Sequence, residues 1–487
     1  MFNKQSEEVS KEEARRKKRK KAQLQAYGIL TAGVLALVLV IVGICSGVGF
    51  IVKRVNASKA EQASEKNDKA NEHTVSGDDD MEEETLDLAA QIAEANAEET
   101  EQTTEELQEE VLRNYVGSFI DSMTIEEKVA GLFFVTPESI TGVKTVVAAG
   151  SSTSSALLNY PVGGIVYDAK NIQDAAQFKE VIYNTKIFSK YEIFVALTEE
   201  GGETGPLYSS GLLTEPVLSQ SEIGATSGVA GAYSAGISIG TTLLGLGVNV
   251  NFAPVSDVTT VDNAFIAPRA YGSDVTTAMS LTKNMLKGMS DQSVYGCLKY
   301  FPGHSDVTVD TSKGRGVSKR TKEDLEKCEY EMVKMAIEEK VPFLMVSHVS
   351  MPEITGDNTP ASLSGAFITD MLRDELGYQG IIITDYMNKS AIAKYYKHAD
   401  AAVMAIQAGA DMILVPSDFK KAYAGVVAAV EAGDITEDRL DESLYRIFML
   451  KYKNSVDYSA VLEAEQSGKE AGEASESSLD ETDNGSE

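Results

Sequence analysis

Eight polar residues stand at or just past the ends of short apolar runs. They are Thr198, Glu199 and Glu200 after one run, Asp257 after a second, and Lys299 and His304 around the end of a third. His348 closes a fourth and Asp385 a fifth. A carboxylate at the end of an apolar strand is aimed by fixed backbone, which suits a nucleophile or a proton carrier. The alternative for Asp385 is a helix N-cap after the strand. Carboxylates ringed by a few cations or imidazoles suit a neutral, hydroxyl-rich ligand such as a sugar. A metal or cofactor is not expected. There is no H-E-x-x-H, P-loop or G-x-S-x-G, and of the 4 histidines His73 lies in an acidic stretch and His398 opens a helical pattern.

The elements that must position these residues repeat along 113–453. Continuous apolar runs occur at 132–135, 163–167, 193–198, 248–254, 294–301, 343–348, 380–385 and 411–415. Each is rich in β-branched or aromatic residues, as expected of strands buried on both faces. Helical patterns lie between many of them, at 172–188, 227–244, 275–290, 321–340, 364–376 and 398–409, with two more at 418–432 and 436–453. Eight strands interleaved with helices predict an α/β fold, a (β/α)8 TIM-like barrel, whose active site forms where strands pass into loops. The rival is a doubly wound open sheet, which the missing G-x-G-x-x-G after the first strand disfavours.

The chain has 487 residues and a formal charge of −30. The charge is unevenly spread. Residues 1–26 carry nine basic and four acidic side chains, 72–110 carry sixteen acidic and no basic ones, and 455–487 carry ten acidic and one basic. Strong acidity argues against nucleic acid as a partner, because phosphate contacts need a cationic face. Acidic segments poor in aromatics cannot bury enough apolar surface to fold. Residues 28–52 form 25 consecutive uncharged residues, just after "RRKKRKK" at 15–21. That is long enough to cross a bilayer, and the basic flank places the N-terminus in the cytoplasm. A cleaved signal peptide, the alternative, would have a shorter apolar region. The expected layout is therefore a cytoplasmic basic segment (1–26), a transmembrane signal anchor (27–52), an acidic linker (53–112), an extracellular barrel (113–453) and a disordered acidic tail (454–487). The 3 cysteines are too few for a disulfide framework.

Several motifs occur in one order along the barrel region: "MTIEEKVAGLFFV" (123–135), "VGGIVYDAKNI" (162–172), "EEGG" (199–202), "LGVNVNFAPVSDV" (246–258), "PRAYGSD" (268–274), "KYFPGHSDVTVD" (299–310) and "GYQGIIITDYM" (377–387). Together they resemble the N-terminal barrel domain of glycoside hydrolase family three, in particular its single-domain bacterial β-N-acetylhexosaminidases. The resemblance implies retaining hydrolysis, in which a carboxylate forms a glycosyl-enzyme that water resolves with help from an acid/base. Asp385 matches the nucleophile, and Lys299 and Arg269 match residues that touch sugar hydroxyls. Glu199, Glu200, Tyr300, His304 and His348 complete the expected substrate-binding set. The plainer alternatives are an ion pair in the barrel mouth for Lys299 and Arg269, and tying and packing roles for His304 and His348.

The pattern also departs from the family. Its usual Asp-Ser-His reads Asp310-Thr311-Ser312 here, so the orienting carboxylate remains and the acid/base imidazole is gone. The usual Lys-His reads Lys299-Tyr300, the Gly after the Pro-Gly-His turn is Ser305, the Asp before the Glu-Gly-Gly element is Thr198, and an expected Arg is Pro206. A hydroxyl such as that of Ser312 cannot titrate near neutral pH. Two expectations follow. One is a surface glycosidase acting on N-acetylglucosamine-containing glycans such as peptidoglycan fragments, with Asp385 as nucleophile and Asp310, Glu199 or Glu200 supplying the proton. The other is a barrel without turnover that binds glycan or scaffolds envelope partners.

Overall fold

The computed structural model describes residues 104–259 and 265–453. The basic segment 1–26, the anchor 27–52, most of the linker 53–112 and the tail 454–487 lie outside the described residues. Helix α1 (Thr104–Asp121) starts nine residues before 113 and buries Leu112, Val116 and Ile120.

All eight expected strands form: β1 (Phe133–Val135), β2 (Gly164–Val166), β3 (Phe194–Leu197), β4 (Val250–Asn251), β5 (Tyr295–Phe301), β6 (Phe343–Val346), β7 (Ile381–Thr384) and β8 (Ile413–Leu414). Every neighbouring pair is parallel, in the order β8-β1-β2-β3-β4-β5-β6-β7. A parallel bridge between Ile383 and Met412 joins the two ends, and the Thr384 N–H donates to the Met412 carbonyl at 3.1 Å. The sheet is thus a closed barrel, and the open-sheet alternative is set aside. Helices α2 (Ala175–Phe188), α3 (Gly228–Leu246), α4 (Val275–Ser290), α5 (Glu329–Glu338), α6 (His398–Gln407), α7 (Phe419–Glu431) and α8 (Glu437–Tyr452) lie between or after the strands. The 364–376 pattern becomes a wide helix over Ala366–Glu375. Helix α3 is long and apolar enough to cross a membrane by composition, yet it packs along α4 as a barrel helix.

Four phenylalanines fill the barrel interior. Phe134 stacks on Phe194 at 6.1 Å, Phe194 meets Phe343 edge-on at 5.3 Å, Phe343 reaches Phe252 at 6.4 Å, and Phe252 returns to Phe134 at 5.1 Å. All four are fully buried or nearly so. Such a closed circuit of rings combines large apolar burial with favourable quadrupole geometry. It requires the glycine at 164, because a Cβ there would lie 2.4 Å from the Phe134 ring. The packed interior makes the barrel a solid support, with polar chemistry confined to the strand ends.

Candidate active site

Asp385 follows the last residue of β7, and its backbone N–H donates to the Val346 carbonyl at 2.8 Å. This tie to β6 fixes the direction of the side chain. Asp385 does not cap a helix; its Oδ1 accepts the next backbone N–H, that of Tyr386, at 2.8 Å. Its Oδ2 accepts from Lys389 Nζ at 2.7 Å. Burial alone would raise the pKa of this fully buried carboxyl. The Lys389 charge, the nearby His348 and the two hydrogen bonds outweigh burial and hold it down at about 2. Asp385 is therefore a carboxylate at neutral pH, the form a nucleophile needs.

A second cluster faces it from β3, β5 and the loop after β4. Arg269 donates to Glu200 through Nε and Nη2, both at 2.7 Å, and Lys299 Nζ also bonds Glu200 Oε1. This fork geometry is the strong form of the Arg–carboxylate contact. Burial would raise the Glu200 pKa, but the two cations hold it far below the carboxylate range. Arg269 Nη2 also donates to the Tyr300 hydroxyl at 3.0 Å. The β5–β6 register shifts between Lys299 and Phe301, so Tyr300 sits on a bulge. Bulges re-aim side chains next to functional sites. The Tyr300 ring has three cations around it: Lys389 Nζ at 5.6 Å, Lys299 Nζ at 5.7 Å and the Arg269 guanidinium at 5.8 Å. The ion-pair alternative for Lys299 and Arg269 is thus realised, and it leaves Arg269 about one-third exposed at the rim.

Asp257 anchors the signature loop. It accepts from the Tyr300 N–H at 3.1 Å, from the His304 N–H, and meets His304 Nδ1 at 3.2 Å. Burial would raise its pKa, but His304 and these bonds pull it down. His304 is buried beneath Tyr300, edge-on at 4.8 Å, and so holds the loop. The loop is clamped further by Arg320, which donates to the Pro302 carbonyl at 2.9 Å and pairs with Glu329.

Three expected site residues take other positions. Glu199 is buried, and its two oxygens accept the Gly201 and Leu207 N–H groups, both at 2.8 Å. Burial raises its pKa, as a general acid requires, but the carboxyl is committed to its own loop. His348 is buried with Nδ1 2.7 Å from Ser362 Oγ and Nε2 3.0 Å from the Tyr386 carbonyl. A carbonyl only accepts, so Nε2 carries the proton and Nδ1 accepts from the serine. Burial lowers the His348 pKa to about 4, so the ring is neutral and braces the backbone beside Asp385. Asp310 accepts from the Ser312 N–H at 2.8 Å and lies 3.5 Å from Lys313 Nζ. Although burial opposes it, these contacts lower its pKa, so Asp310 is ionised and does not carry a proton to donate at neutral pH.

Two residues escaped sequence reasoning. Tyr386 places its hydroxyl 2.9 Å from Thr198 Oγ1, and Lys389 clamps the nucleophile candidate. The only signal for Lys389 was a Lys four residues after an Asp, a spacing common on helix surfaces.

Residues 124–450 match the Glycosyl hydrolase family 3 N terminal domain. The chain belongs to glycosyl hydrolase family 3. It is 27 % identical over 341 residues to Beta-hexosaminidase A of Pseudoalteromonas piscicida, a match covering 62 % of this chain and 55 % of that one. The chain thus spans about half the length of that relative. A Beta-hexosaminidase of Nitrosomonas eutropha is 27 % identical over 272 residues, covering 55 % of this chain and 78 % of the other. Among solved structures, a glycoside hydrolase family 3 β-N-acetylglucosaminidase from Paenibacillus sp. str. FPU-7 superposes with a TM-score of 0.63 at 29 % identity, covering 69 % of this chain and 63 % of that one. A family 3 glycosyl hydrolase of Mycobacterium smegmatis gives 0.59 at 26 %, covering 68 % and 98 %.

Proposed function

We propose that this family 3 barrel is a retaining β-N-acetylhexosaminidase-type glycosidase with Asp385 as its nucleophile. The observation that carries the reading is the ionised Asp385 carboxylate at the end of β7, beside a Glu200–Arg269–Lys299 cluster able to contact sugar hydroxyls. The carboxylate attacks the anomeric carbon, the aglycone leaves, and water cleaves the glycosyl ester. Asp310, already ionised, serves the second step as a base for that water. Among the described residues the first step has no assigned proton donor, and it therefore favours leaving groups that depart without one. Losing a general acid typically lowers the rate by about 10²–10⁴-fold and leaves the rest of catalysis intact. The relatives named as beta-hexosaminidases support amino-sugar glycans as the substrate class.

The setting is part of the same proposal. The apolar run 28–52 behind "RRKKRKK" supports a single-pass anchor with the barrel outside the cell. Peptidoglycan fragments containing N-acetylglucosamine are then the nearest substrates. The test is nitrophenol release from 4-nitrophenyl N-acetyl-β-glucosaminide by the wild type and Asp385→Asn. The wild type is expected to exceed the variant by orders of magnitude, and equal background signals would remove the enzyme reading for this substrate.

One feature favours a second reading, a glycan-binding barrel without turnover. Lys389 and the Thr198–Tyr386 contact already occupy groups that would meet a sugar. Under that reading N-acetylglucosamine oligomers bind, with heat detectable by calorimetry, and Asp385→Asn leaves the affinity unchanged. No measurable heat would count against it.

A further inference from the structure

We propose that Lys389 is the positioning residue of the nucleophile: its ammonium clamps one oxygen of the fully buried Asp385 and keeps the carboxylate oriented. This inference rests on the assignment of Asp385 as nucleophile made above.

The two oxygens of Asp385 are held differently. Oδ1 is fixed by the backbone N–H of Tyr386, a contact no side-chain exchange removes. Oδ2 is held by Lys389 Nζ at 2.7 Å, and Asp385 itself is fully buried while the Lys389 side chain is 21 % exposed. A buried carboxylate without a cation would lose its charge or its orientation. The other titratable groups around Asp385 do not substitute for this cation. His348 is neutral, with both ring nitrogens engaged, and burial pushes the Cys297 thiol up to about 12. Tyr386 is turned to Thr198. On its outer side Lys389 faces the Tyr300 ring and, more remotely, Arg269, which is committed to Glu200.

The backbone that carries Lys389 is fastened in place. Its own N–H donates to the Tyr386 carbonyl at 3.0 Å. The next two, Ser390 and Ala391, donate to the Ser312 and Thr311 carbonyls at 3.3 and 3.0 Å. Lys394 Nζ donates to the Lys313 carbonyl at 3.0 Å, and the Arg315 guanidinium lies 4.2 Å from the Tyr395 ring centroid. The loop that lacks the family's imidazole is therefore docked onto the segment that presents the lysine.

The experiment compares full-length wild type, Lys389→Met and Lys389→Arg. The first arm measures kcat and KM for 4-nitrophenyl N-acetyl-β-glucosaminide across acid to neutral pH. The acid limb of kcat/KM is expected to move to higher pH by about one unit or more in Lys389→Met, because the largest opposition to burial at Asp385 is then gone and only His348 and the Tyr386 N–H remain, and to return in Lys389→Arg. An unmoved limb in Lys389→Met, or no return in Lys389→Arg, would overturn the proposal. The second arm reads urea midpoints over the same range and needs no turnover. The gap between wild type and Lys389→Met is expected to widen as pH rises, because only the wild type gains from ionising Asp385. A gap that stays constant with pH would overturn the clamp. If the wild type turns over no faster than Asp385→Asn, the catalytic reading fails, and the second arm still decides whether Lys389 holds Asp385.

Discussion

The hydroxyl oxygens of Thr198 and Tyr386 lie 2.9 Å apart, joining the end of β3 to the residue after Asp385. The pair behaves as a mouth-spanning tie. Tyr386→Phe removes one neutral hydrogen bond between partly buried groups, with an expected loss of about 0.5–1.5 kcal/mol in urea unfolding. Thr198→Val, which deletes the other hydroxyl, is expected to give a similar loss, and the double variant less than the sum.

Glu200 is the shared acceptor of Arg269 and Lys299. Glu200→Gln leaves two cations without their carboxylate, one of them almost completely buried. Breaking such a buried group typically destabilises by about 3–5 kcal/mol. A markedly lower melting temperature, with KM raised more than kcat is lowered, is the expected outcome. An unchanged melting temperature would show that the cluster contributes little to folding.

The stability of the fold depends on pH in two windows. His348 is held at about 4 in the fold, below its ordinary 6.5, so its neutral form is favoured. Its contribution is complete above pH 6.5 and is lost as pH falls through about 4, amounting to roughly 3 kcal/mol. Asp385, held at about 2 against an ordinary 3.8, adds stability above 3.8 that is lost as pH falls toward 2. Urea titrations of the wild type and His348→Gln at neutral pH and near pH 4 check the first window. The variant is expected to lack the wild type's loss between the two.

Ser312, whose hydroxyl cannot titrate near neutral pH, lies on a loop seated against Ser390 and Ala391. Without a proton donor, the rate should fall steeply as the leaving group becomes more basic. A series of aryl N-acetyl-β-glucosaminides reads this slope. Ser312→His is expected to flatten it and to raise the rate on the poorest leaving groups by about 10²-fold or more. A flat slope in the wild type would reveal a proton donor elsewhere.

The barrel was legible because its strands are buried on both faces. "LFFV", "IFVALT" and "GIIITD" announce themselves as unbroken apolar runs, and all eight strands lie inside the expected ones. Closure was not visible in any run; it depends on a bridge between Ile383 and Met412, nearly thirty residues apart. The candidate nucleophile and the Glu200 cluster were legible from position and motif. The commitments of Glu199 and His348 were not, because they depend on which backbone groups fold back onto them: Gly201 and Leu207 for one, the Tyr386 carbonyl for the other. Lys389 was missed because its spacing from Asp385 looks like an ordinary surface pair, whereas burial of Asp385 turns that pair into part of the site.

The most direct measurement is mass spectrometry of the protein after exposure to a slow-turnover fluorinated N-acetylglucosaminyl fluoride, which traps a glycosyl-enzyme. The account predicts one added sugar on the peptide containing Asp385, and none in Asp385→Asn. A label on another carboxylate, or no label at all, would contradict it.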